Sequence, residues 1–324
     1  MVILVKLYII NKNMTNELER YMNTNSFTKS IGFGILITII GATCWGISGC
    51  FGQFLFQEKS ITAEWLVAIR LLGAGILLIL MGFFKDGKKN ISIFKNKNDT
   101  LTLVIFSFLG MLVCQYTYFA AIQYSNAGTA TVLQSTSSIM ILIVVCIKEK
   151  RIPNIVESFA IIGAFIGVFL LATHGNINSL VITKLALIYG IGAAIGAVLY
   201  NMLATDILNK HGVYQVVGYG MLISGIAFNL LIRPWKYNIS FDFEMILALL
   251  GVIVIGTVIS FSCYLKGVSI IGPLKGSLLG NIEPVVAIIV AVLFLNSSFD
   301  FIDFAGFTFI LGTVIFLSLK RKDE

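Results

Sequence analysis

Ten stretches of the chain are long and almost continuously apolar, and short polar segments separate them. Each stretch has about the 20 residues that an α-helix needs to cross the hydrocarbon core of a bilayer. Continuous apolar runs favour helices over the strands of a membrane barrel, in which apolar and polar residues alternate. We therefore predict an all-α polytopic membrane protein with spans at 31–56, 64–84, 101–123, 126–147, 155–173, 184–206, 213–233, 244–266, 273–295 and 300–319.

The composition agrees with this class and excludes several others. Of 324 residues, 57% are apolar and 12% are charged, and the mean hydropathy is +0.93. A soluble domain has about twice that share of charged residues, so this chain has too little polar surface to coat a water-soluble globule. The composition excludes a cytosolic enzyme, a secreted module and a disordered scaffold. Basic loops explain the net charge of +7, which therefore does not point to nucleic acid as a partner.

Lysine and arginine are distributed unequally between the two sets of loops. If the N-terminus is cytoplasmic, 18 of the 23 basic residues fall in inner segments, 4 fall in outer segments, and Arg70 falls inside a span. Because cytoplasmic loops carry the excess of basic residues, we predict that both termini are cytoplasmic. The frequent Ile, Lys and Asn residues suggest an AT-rich bacterial genome. The predicted location is therefore the plasma (inner) membrane of a bacterium.

The segments outside the spans are predicted to be short cytoplasmic tails. Residues 1–30 precede the first span. The apolar stretch 2–10 is too short to cross a bilayer, and the polar stretch after it does not resemble a signal-peptide cleavage region. Translation that starts at Met14 or Met22 is the alternative to an interfacial N-terminal tail. Residues 320–324 form the predicted C-terminal tail.

The second half of the chain repeats the first half with a shift of about 150 residues. Gly41 aligns with Gly192 at a shift of 151, and the run that starts at Ala127 aligns with the run that starts at Pro273 at a shift of 146. The two halves are residues 31–173 and 184–319. Each half holds five predicted spans, and because five is odd, the two halves have opposite orientations in the membrane. Inverted repeats of this kind place a substrate site near the midplane and permit alternating access, so we predict two inverted five-helix repeats (5+5).

Several short motifs occur in the order that is typical of a known family. They are Trp45-Gly46, Arg70, the stretch 118–130 (YFAAIQYSNAGTA), Glu149 and the NIEPV segment 281–285. Together these motifs resemble EamA-type transporters of the drug/metabolite transporter (DMT) superfamily. The resemblance covers residues 31–319 and implies two five-helix modules that move small metabolites, often outward, by proton-coupled or facilitated transport. The second half departs from the family pattern, because Leu295-Asn296-Ser297 stands where a closing glutamate is expected.

Two ionisable residues inside predicted spans need an explanation, because a charge at the bilayer centre costs about 2.5–3.5 kcal/mol on insertion scales. For Glu283 in the ninth span, we predict that the carboxylate faces a cavity and binds a substrate amine or carries a coupling proton. An ion pair with Lys266 or Lys275 is the structural alternative. For Arg70 we expect that the side chain extends to the lipid headgroups or pairs with Glu64.

Uncharged polar and aromatic residues of the spans are the other candidates for a substrate-binding surface. Most of them occur at repeat-equivalent positions of the third, fourth, eighth and ninth spans, and the rest lie in the first and sixth. Such residues can line a hydrated cavity, or they can form hydrogen bonds between helices. The predicted substrate-binding residues besides Glu283 are Trp45, Gln115, Tyr116, Tyr118, Gln134, Ser135, Ser138, Asn201, Ser262, Tyr264 and Asn281.

The sequence gives no sign of a cofactor, a metal site or a catalytic site. The five cysteines lie in apolar runs without a C-x-x-C pair, and the two histidines lie outside the predicted spans. No G-x-x-x-x-G-K-[ST] loop is present, so ATP is not expected to drive the protein directly. The leading hypothesis is a secondary transporter of a small metabolite such as an amino acid, coupled to a proton or substrate gradient, in a monomer or homodimer. The alternatives are a membrane-embedded enzyme, which needs several deep carboxylates, histidines or a metal, and a receptor-like scaffold.

Overall fold

The computed structural model describes residues 31–176, 179–271, 276 and 279–320, and over these residues it contains helices and short connections but no strand. The predicted tail 1–30 and residues 321–324 lie outside the described residues. We number the long helices α1 to α10 in chain order. Their bounds are Ile31–Glu58, Ala63–Asp86, Lys97–Tyr124, Ala127–Lys148, Ile155–Thr173, Lys184–His211, Val213–Ile232, Phe243–Ile271, Ile282–Leu295 and Phe301–Lys320.

Eight of the described helices, α1 to α8, are long and apolar enough to cross a membrane. The apolar helices in α9 and α10 are shorter, at Ile282–Leu295 and Phe301–Phe316. These helices confirm the predicted all-helical architecture and support a multi-pass membrane protein. Each predicted span overlaps one of the helices, although part of the predicted span 273–295 lies outside the described residues.

Polar side chains at the capping positions set the starts of the helices. Six helices begin after a residue whose side chain accepts a hydrogen bond from a first-turn backbone N–H: Thr62, Asn96, Asn126, Asn154, Thr183 and Asp242. These bonds satisfy N–H groups that have no partner within the helix. Between α6 and α7, Gly212 has a φ of 76°. Because glycine adopts this conformation readily, this single residue is enough to connect the end of α6 to the start of α7.

Helices of the first half pack against helices of the second half in a symmetric pattern. α2 packs on α7, α4 on α9 and α5 on α10, while α3 packs on α6 and α1 on α8. Each first-half helix corresponds to the second-half helix five places later, so α1 corresponds to α6 and α3 to α8. When the two halves are exchanged, the first three pairs remain the same pairs. The same exchange converts the last two pairs into each other. This set of five helix pairs is therefore the same whichever half is taken first.

Irregular turns of the helices also recur at aligned positions. The backbone widens into π-helical turns at Phe106–Leu112 in α3 and at Gly251–Ile259 in α8. A shift of 146 residues superposes the first of these segments on the second. Likewise, α4 is interrupted at Thr136, and a turn at Asn281, one residue from the aligned position, precedes α9. π-helical turns are uncommon in proteins as a whole but frequent at functional sites. Their occurrence at aligned positions of α3 and α8 therefore marks the same part of both halves.

Glycines permit the close approach of α1 to α8 and of α6 to α3. A Cβ atom on Gly41 of α1 would lie 2.7 Å from the backbone nitrogen of Tyr264 in α8. A Cβ atom on Gly196 of α6 would lie 2.6 Å from the Cα of Cys114 in α3. Real side chains do not tolerate such distances, so glycine is required for these helices to pack at this separation.

An ion pair joins each of these two helix pairs at one end. Lys59 Nζ, just after α1, lies 2.7 Å from Asp242 Oδ2 and 2.6 Å from Glu244 Oε2 at the start of α8. Lys210 Nζ, near the end of α6, lies 3.1 Å from Asp99 Oδ1 at the start of α3. Lys59 and Lys210 are separated by the shift of 151 residues that aligns α1 with α6. The aligned lysines therefore make equivalent contacts.

Candidate substrate-binding cavity

A cavity of about 410 Å³ lies between helices from both halves of the chain. Residues of α1, α2, α3, α4, α6, α8 and α9 line it. The lining runs along α4 from Thr131 to Ile141 and along α6 from Ala197 to Leu208. The lining of α6 extends toward the C-terminal end of that helix. We call the side of the cavity at the C-terminal ends of α4 and α6 the open end.

The opposite end of the bundle, at the C-terminal end of α1 and the start of α4, is closed by polar contacts. The Tyr118 hydroxyl lies 3.0 Å from Thr131 Oγ1 at the floor of the cavity. Beyond this contact, the buried Gln53 side chain joins α1 to the first residue of α4, Ala127. We call this the closed end.

Ten of the twelve predicted binding residues line the cavity. They are Trp45, Gln115, Tyr118, Gln134, Ser135, Ser138, Asn201, Tyr264, Asn281 and Glu283. These residues come from α1, α3, α4, α6 and α8 and from the start of α9. The structure thus brings together side chains that lie as far apart in the sequence as Trp45 and Glu283.

The other two predicted residues, Tyr116 and Ser262, lie outside the cavity lining. The Tyr116 hydroxyl donates a hydrogen bond to Glu64 Oε1 at 3.0 Å, and the Tyr116 ring packs against Tyr189. Ser262 Oγ accepts a hydrogen bond from the Tyr214 hydroxyl at 3.4 Å. Both residues are adjacent in sequence to residues near the cavity. A helix rotates each successive side chain by about 100°, which turns these two toward other helices.

Arg70 lies in the wall of the cavity, so the expectation that it extends to the headgroups is wrong. Its residue is only 4% exposed. The guanidinium donates to Thr257 Oγ1 at 3.1 Å, to Gln115 Oε1 at 2.7 Å and to the Gly256 carbonyl at 3.2 Å. The expected pairing with Glu64 is also wrong, because Glu64 is not among the partners of the guanidinium and instead accepts a hydrogen bond from a tyrosine hydroxyl. All three acceptors of the guanidinium are uncharged, and two of the five N–H groups are left for another acceptor.

Glu283 provides the one carboxylate in the described lining of the cavity. It is the second residue of α9, and it lines the same cavity as Arg70. Within the described residues its carboxylate makes no hydrogen bond and no ion pair with Lys266; Lys275 lies outside the described residues. The described cavity wall therefore combines one basic and one acidic group.

Two buried polar atoms of the lining, Ser48 Oγ and Asn281 Nδ2, have no hydrogen-bond partner within the described structure. Ser48 is 2% exposed and lies against Gly256, whose carbonyl accepts a hydrogen bond from Arg70. The Ser48 hydroxyl and the Arg70 guanidinium therefore belong to the same part of the wall. A buried donor without a partner costs about 1–3 kcal/mol, and a bound polar solute would remove that cost.

Aromatic rings form another part of the wall. The Trp45 ring lies 5.1 Å from the Phe261 ring and 4.7 Å from the Tyr264 ring, measured between ring centroids. Such packing holds large side chains in fixed positions. This side of the cavity thus has rigid apolar surfaces that can contact the apolar part of a solute.

Sequence reasoning did not identify Ser48 and Thr131 and gave Arg70 a different environment. Ser48 follows Trp45 by three residues, and Thr131 precedes Ser135 by four. Residues at these spacings share a helical face, so the helical period could have found both positions. For Arg70, the general cost of a charge inside a span was a sufficient reason to expect a functional position.

The described lining does not provide a set of metal ligands, since it contains one carboxylate, one thiol and no histidine. At the junction of α5 and α10, ligand atoms of His174, Asp300 and Asp303 lie within 4.8 Å of one another. There His174 Nε2 lies 2.8 Å from Asp303 Oδ1, and Asp303 Oδ2 accepts from the Asp300 N–H at 2.9 Å. These bonds cap α10 and tie it to α5, which explains the cluster without a metal.

An apolar helical bundle around a polar, charge-bearing cavity is typical of a multi-pass membrane protein that handles a solute. The model of the EamA-like transporter family matches residues 32–173 and 184–319. The chain therefore belongs to the EamA-like transporter family and is a membrane transporter, as the motifs predict.

Individual relatives agree with this class. The chain is 37% identical to YicL of Salmonella typhimurium, which is described as an uncharacterized inner membrane transporter, over 89% of this chain and 96% of the relative. It is 24% identical to the uncharacterized transporter YetK of Bacillus subtilis over 78% of this chain and 77% of the relative. A solved structure titled only as the crystal structure of a protein is similar in fold, with a TM-score of 0.58. The match covers 92% of this chain and 99% of the chain in that structure. At 15% identity this last likeness concerns the fold alone.

Proposed function

We propose that this protein is a secondary transporter that exports a small metabolite such as an amino acid across the bacterial plasma membrane. In this proposal two inverted five-helix repeats, with both termini cytoplasmic, alternate in opening the central cavity to either side. The observation that carries the proposal is the presence of Arg70 and Glu283 in the wall of one internal cavity.

The two charges favour a zwitterion over a purely cationic or anionic solute. Arg70 has two unused N–H groups and can bind a carboxylate, with the Ser48 hydroxyl as a neighbouring donor. Glu283 can accept an ammonium group. A zwitterion such as an amino acid satisfies both residues at once, whereas a cation leaves the buried guanidinium without an anion.

Glu283 also supports coupling to a proton. A carboxylate without a hydrogen-bond partner becomes costly when it is removed from water, so in this proposal Glu283 holds either the substrate ammonium or a proton when the cavity is closed. Exclusive occupation of one carboxylate by either cation is a direct means of exchange. Export of the solute and entry of the proton would then be coupled at the carboxylate of Glu283.

The symmetric pairing of helices supports the inverted 5+5 arrangement and alternating access. Pairs such as α2 with α7 and α5 with α10 contribute the same helix from each half, as a two-fold relation requires. The open end lies at the C-terminal ends of α4 and α6, which the distribution of basic residues predicts to be cytoplasmic. A cavity that opens to the cytoplasm can take up a cytoplasmic solute, and this supports export.

The alternative of a membrane-embedded enzyme receives less support. General acid–base or metal chemistry needs a second ionisable group near the first. Among the described cavity residues, Glu283 is the one carboxylate, and no histidine accompanies it. A solute can be bound and released by this set of groups without any covalent change.

Transport by purified protein in proteoliposomes tests the proposal. Labelled amino-acid, nucleoside and organic-acid pools should be compared with and without a pH gradient, and we expect movement of the amino-acid pool. Movement of none of these pools would overturn the proposed function.

Glu283→Gln separates the two roles of the carboxylate. If Glu283 carries the proton, the variant loses gradient-driven transport and retains exchange. If Glu283 only binds the amine, both modes lose affinity, and proton coupling through this residue is overturned. Glu64→Gln is the matched control, because Glu64 bonds to Tyr116 outside the cavity lining, and we expect it to leave both modes unchanged.

A further inference from the structure

Gln53 joins the two halves of the chain at the closed end. Its residue is 1% exposed. Gln53 Oε1 accepts a hydrogen bond from the Ala127 N–H at 2.8 Å, and Gln53 Nε2 donates to Ser297 Oγ at 2.9 Å. Gln53 lies near the end of α1, Ala127 begins α4, and Ser297 lies in the connection between α9 and α10. One buried amide therefore holds three segments from both halves together.

These contacts lie between the cavity and the solvent at the closed end. Cys50, one turn before Gln53 in α1, is 4% exposed, and its thiol donates to the Ala287 carbonyl of α9 at 3.4 Å. A solute that leaves by this end must pass between α1, α4 and α9. Opening there would separate Gln53 from Ala127, Ser297 or both.

The aligned positions of the other half cannot form the same contact. At the shifts that align the halves, Ala204 corresponds to Gln53, and Pro273 corresponds to Ala127. Alanine has no amide side chain, and proline has no N–H to donate. Both hydrogen-bonding groups of the α1–α4 contact are therefore missing from the second copy.

The Gln53 contact differs in this respect from the ion pairs between the halves, which occur at both ends. The ion pair of Lys59 with Asp242 has its counterpart in the ion pair of Lys210 with Asp99. Those pairs hold α1 to α8 and α3 to α6 and do not bias the molecule toward either opening. The Gln53 contact adds hydrogen bonds to one state alone.

We infer that Gln53, Ala127 and Ser297 form a latch that keeps the closed end shut and makes the state with the open end accessible the resting state. The inference rests on the proposed alternating access. Because the latch stabilises one of two states, its removal shifts the populations toward the opposite state without any ligand. Gln53 acts here as a positioning residue, since it does not line the cavity.

Cysteine labelling of the purified protein in nanodiscs measures which end is accessible. The reagent is a water-soluble maleimide. Cys50 reports on the closed end in a background in which the other four cysteines are replaced by alanine. Ile141→Cys, in a background without the five native cysteines, reports on the open end, because Ile141 lines that part of the cavity.

Gln53→Leu removes both hydrogen bonds of the latch at similar side-chain volume. The loss of two net hydrogen bonds predicts a rise of about tenfold or more in the labelling rate of Cys50. Labelling at position 141 should fall or stay unchanged. A rise at both positions would indicate general loosening of the bundle and would overturn the latch, as would an unchanged rate at Cys50.

Matched variants separate the latch from ordinary loss of stability. Gln123 Oε1 accepts a hydrogen bond from the Ala63 N–H at 2.6 Å, so it caps a helix with the same chemistry but within the first half. Gln123→Leu should leave Cys50 labelling unchanged, and an equal rise would overturn the latch. Ser297→Ala should raise the labelling rate of Cys50 by an intermediate amount. Ser297→Thr keeps the hydroxyl and should leave this rate at its wild-type value.

The labelling experiment needs no substrate, so its result can be told apart from the result of the transport assay. Suppose that Gln53→Leu raises the labelling of Cys50 and does not raise it at position 141, while the transport assay shows no movement of any solute pool. That result would keep the latch and overturn the proposed transport function. Solute movement with unchanged Cys50 labelling would overturn the latch alone.

Discussion

The contact between α2 and α7 gives the sharpest test of the relation between the two halves. Gly75 of α2 and Gly225 of α7 are aligned at a shift of 150 residues, and both are buried in this contact. A Cβ atom on Gly75 would lie 2.6 Å from the Leu222 backbone nitrogen. A Cβ atom on Gly225 would lie 2.8 Å from the Leu72 backbone nitrogen. We predict that Gly75→Ala and Gly225→Ala destabilise the protein to the same extent.

The magnitude follows from these distances. Ordinary contacts of a Cβ atom are 3.4–4 Å, so each alanine must separate backbone from backbone by about 0.6–0.8 Å, and no side-chain rotation can relieve the clash. Overpacking of this kind costs about 1–3 kcal/mol. Alanine in place of glycine in a helix returns roughly 0.5–1 kcal/mol. Gly312→Ala is the control for that gain, because a Cβ atom at Gly312 would meet nothing within 4 Å.

Thermal unfolding of the purified variants measures the effect. At about 2–4 °C per kcal/mol for a chain of this order of size, both variants should unfold several degrees below Gly312→Ala. The double variant should lose less than the sum of the single losses, because the first substitution already separates the helices. Clearly unequal losses at Gly75 and Gly225 would refute the two-fold relation, and unfolding temperatures equal to the control would refute the close approach.

Two further predictions concern charged groups. Arg70→Gln should weaken the binding of an amino acid by about 10–100-fold and leave the binding of its uncharged amide derivative unchanged; Arg70→Lys should lie between, and an equal loss for both ligands in a calorimetric titration would contradict a carboxylate site. The Lys59 ammonium lowers the pKa of the Asp242 carboxyl group outside the spans, with a further contribution from the Met245 N–H. The ion pair therefore stabilises the fold above the ordinary carboxyl titration range, and its contribution is lost as the pH falls through the lowered pKa. The unfolding temperature of Lys59→Met should lie slightly below that of the wild type at neutral pH, and the difference should disappear as the pH falls below the lowered pKa of Asp242; a difference that persists there would show that the pair is not its cause.

Hydropathy along the chain predicted the helices well, because the cost of an unsatisfied backbone in hydrocarbon leaves few other structures for an apolar run. The predicted span 155–173 coincides with α5, and Gly212 was left between two spans, as it is between α6 and α7. The ends of α6 and α8 were placed five residues too early. Those last turns carry polar residues such as Lys210 and Ser269, which hydropathy assigns to loops although the backbone remains helical.

Pairings between helices were harder to predict than the residues near the cavity. Alignment of the halves singled out Tyr118 and Tyr264, and the structure places both in the cavity wall. The acceptors of Arg70 were not predicted, because Gln115 and Thr257 come from different helices, and one of the bonds goes to a backbone carbonyl. A single sequence carries periodicity along each helix but no direct record of which helices meet.

The differences between the halves carry more chemistry than their likeness. Glu283 corresponds to Ser137 at the shift of 146, and both line the cavity, but only one of them can hold a proton or an ammonium group. Arg70 corresponds to Gly220 at the shift of 150, so the basic group also occurs once. A repeat with identical halves would present the same groups to both sides and would bind a solute without preference for orientation. Because the acid and the base come from opposite halves, the proposed zwitterion would bind in one orientation, and the proposed movement of one half against the other would change the distance between its two binding groups. The likeness of the halves thus builds the cavity, while in the proposed mechanism the single charge from each half couples the opening of the cavity to what it holds.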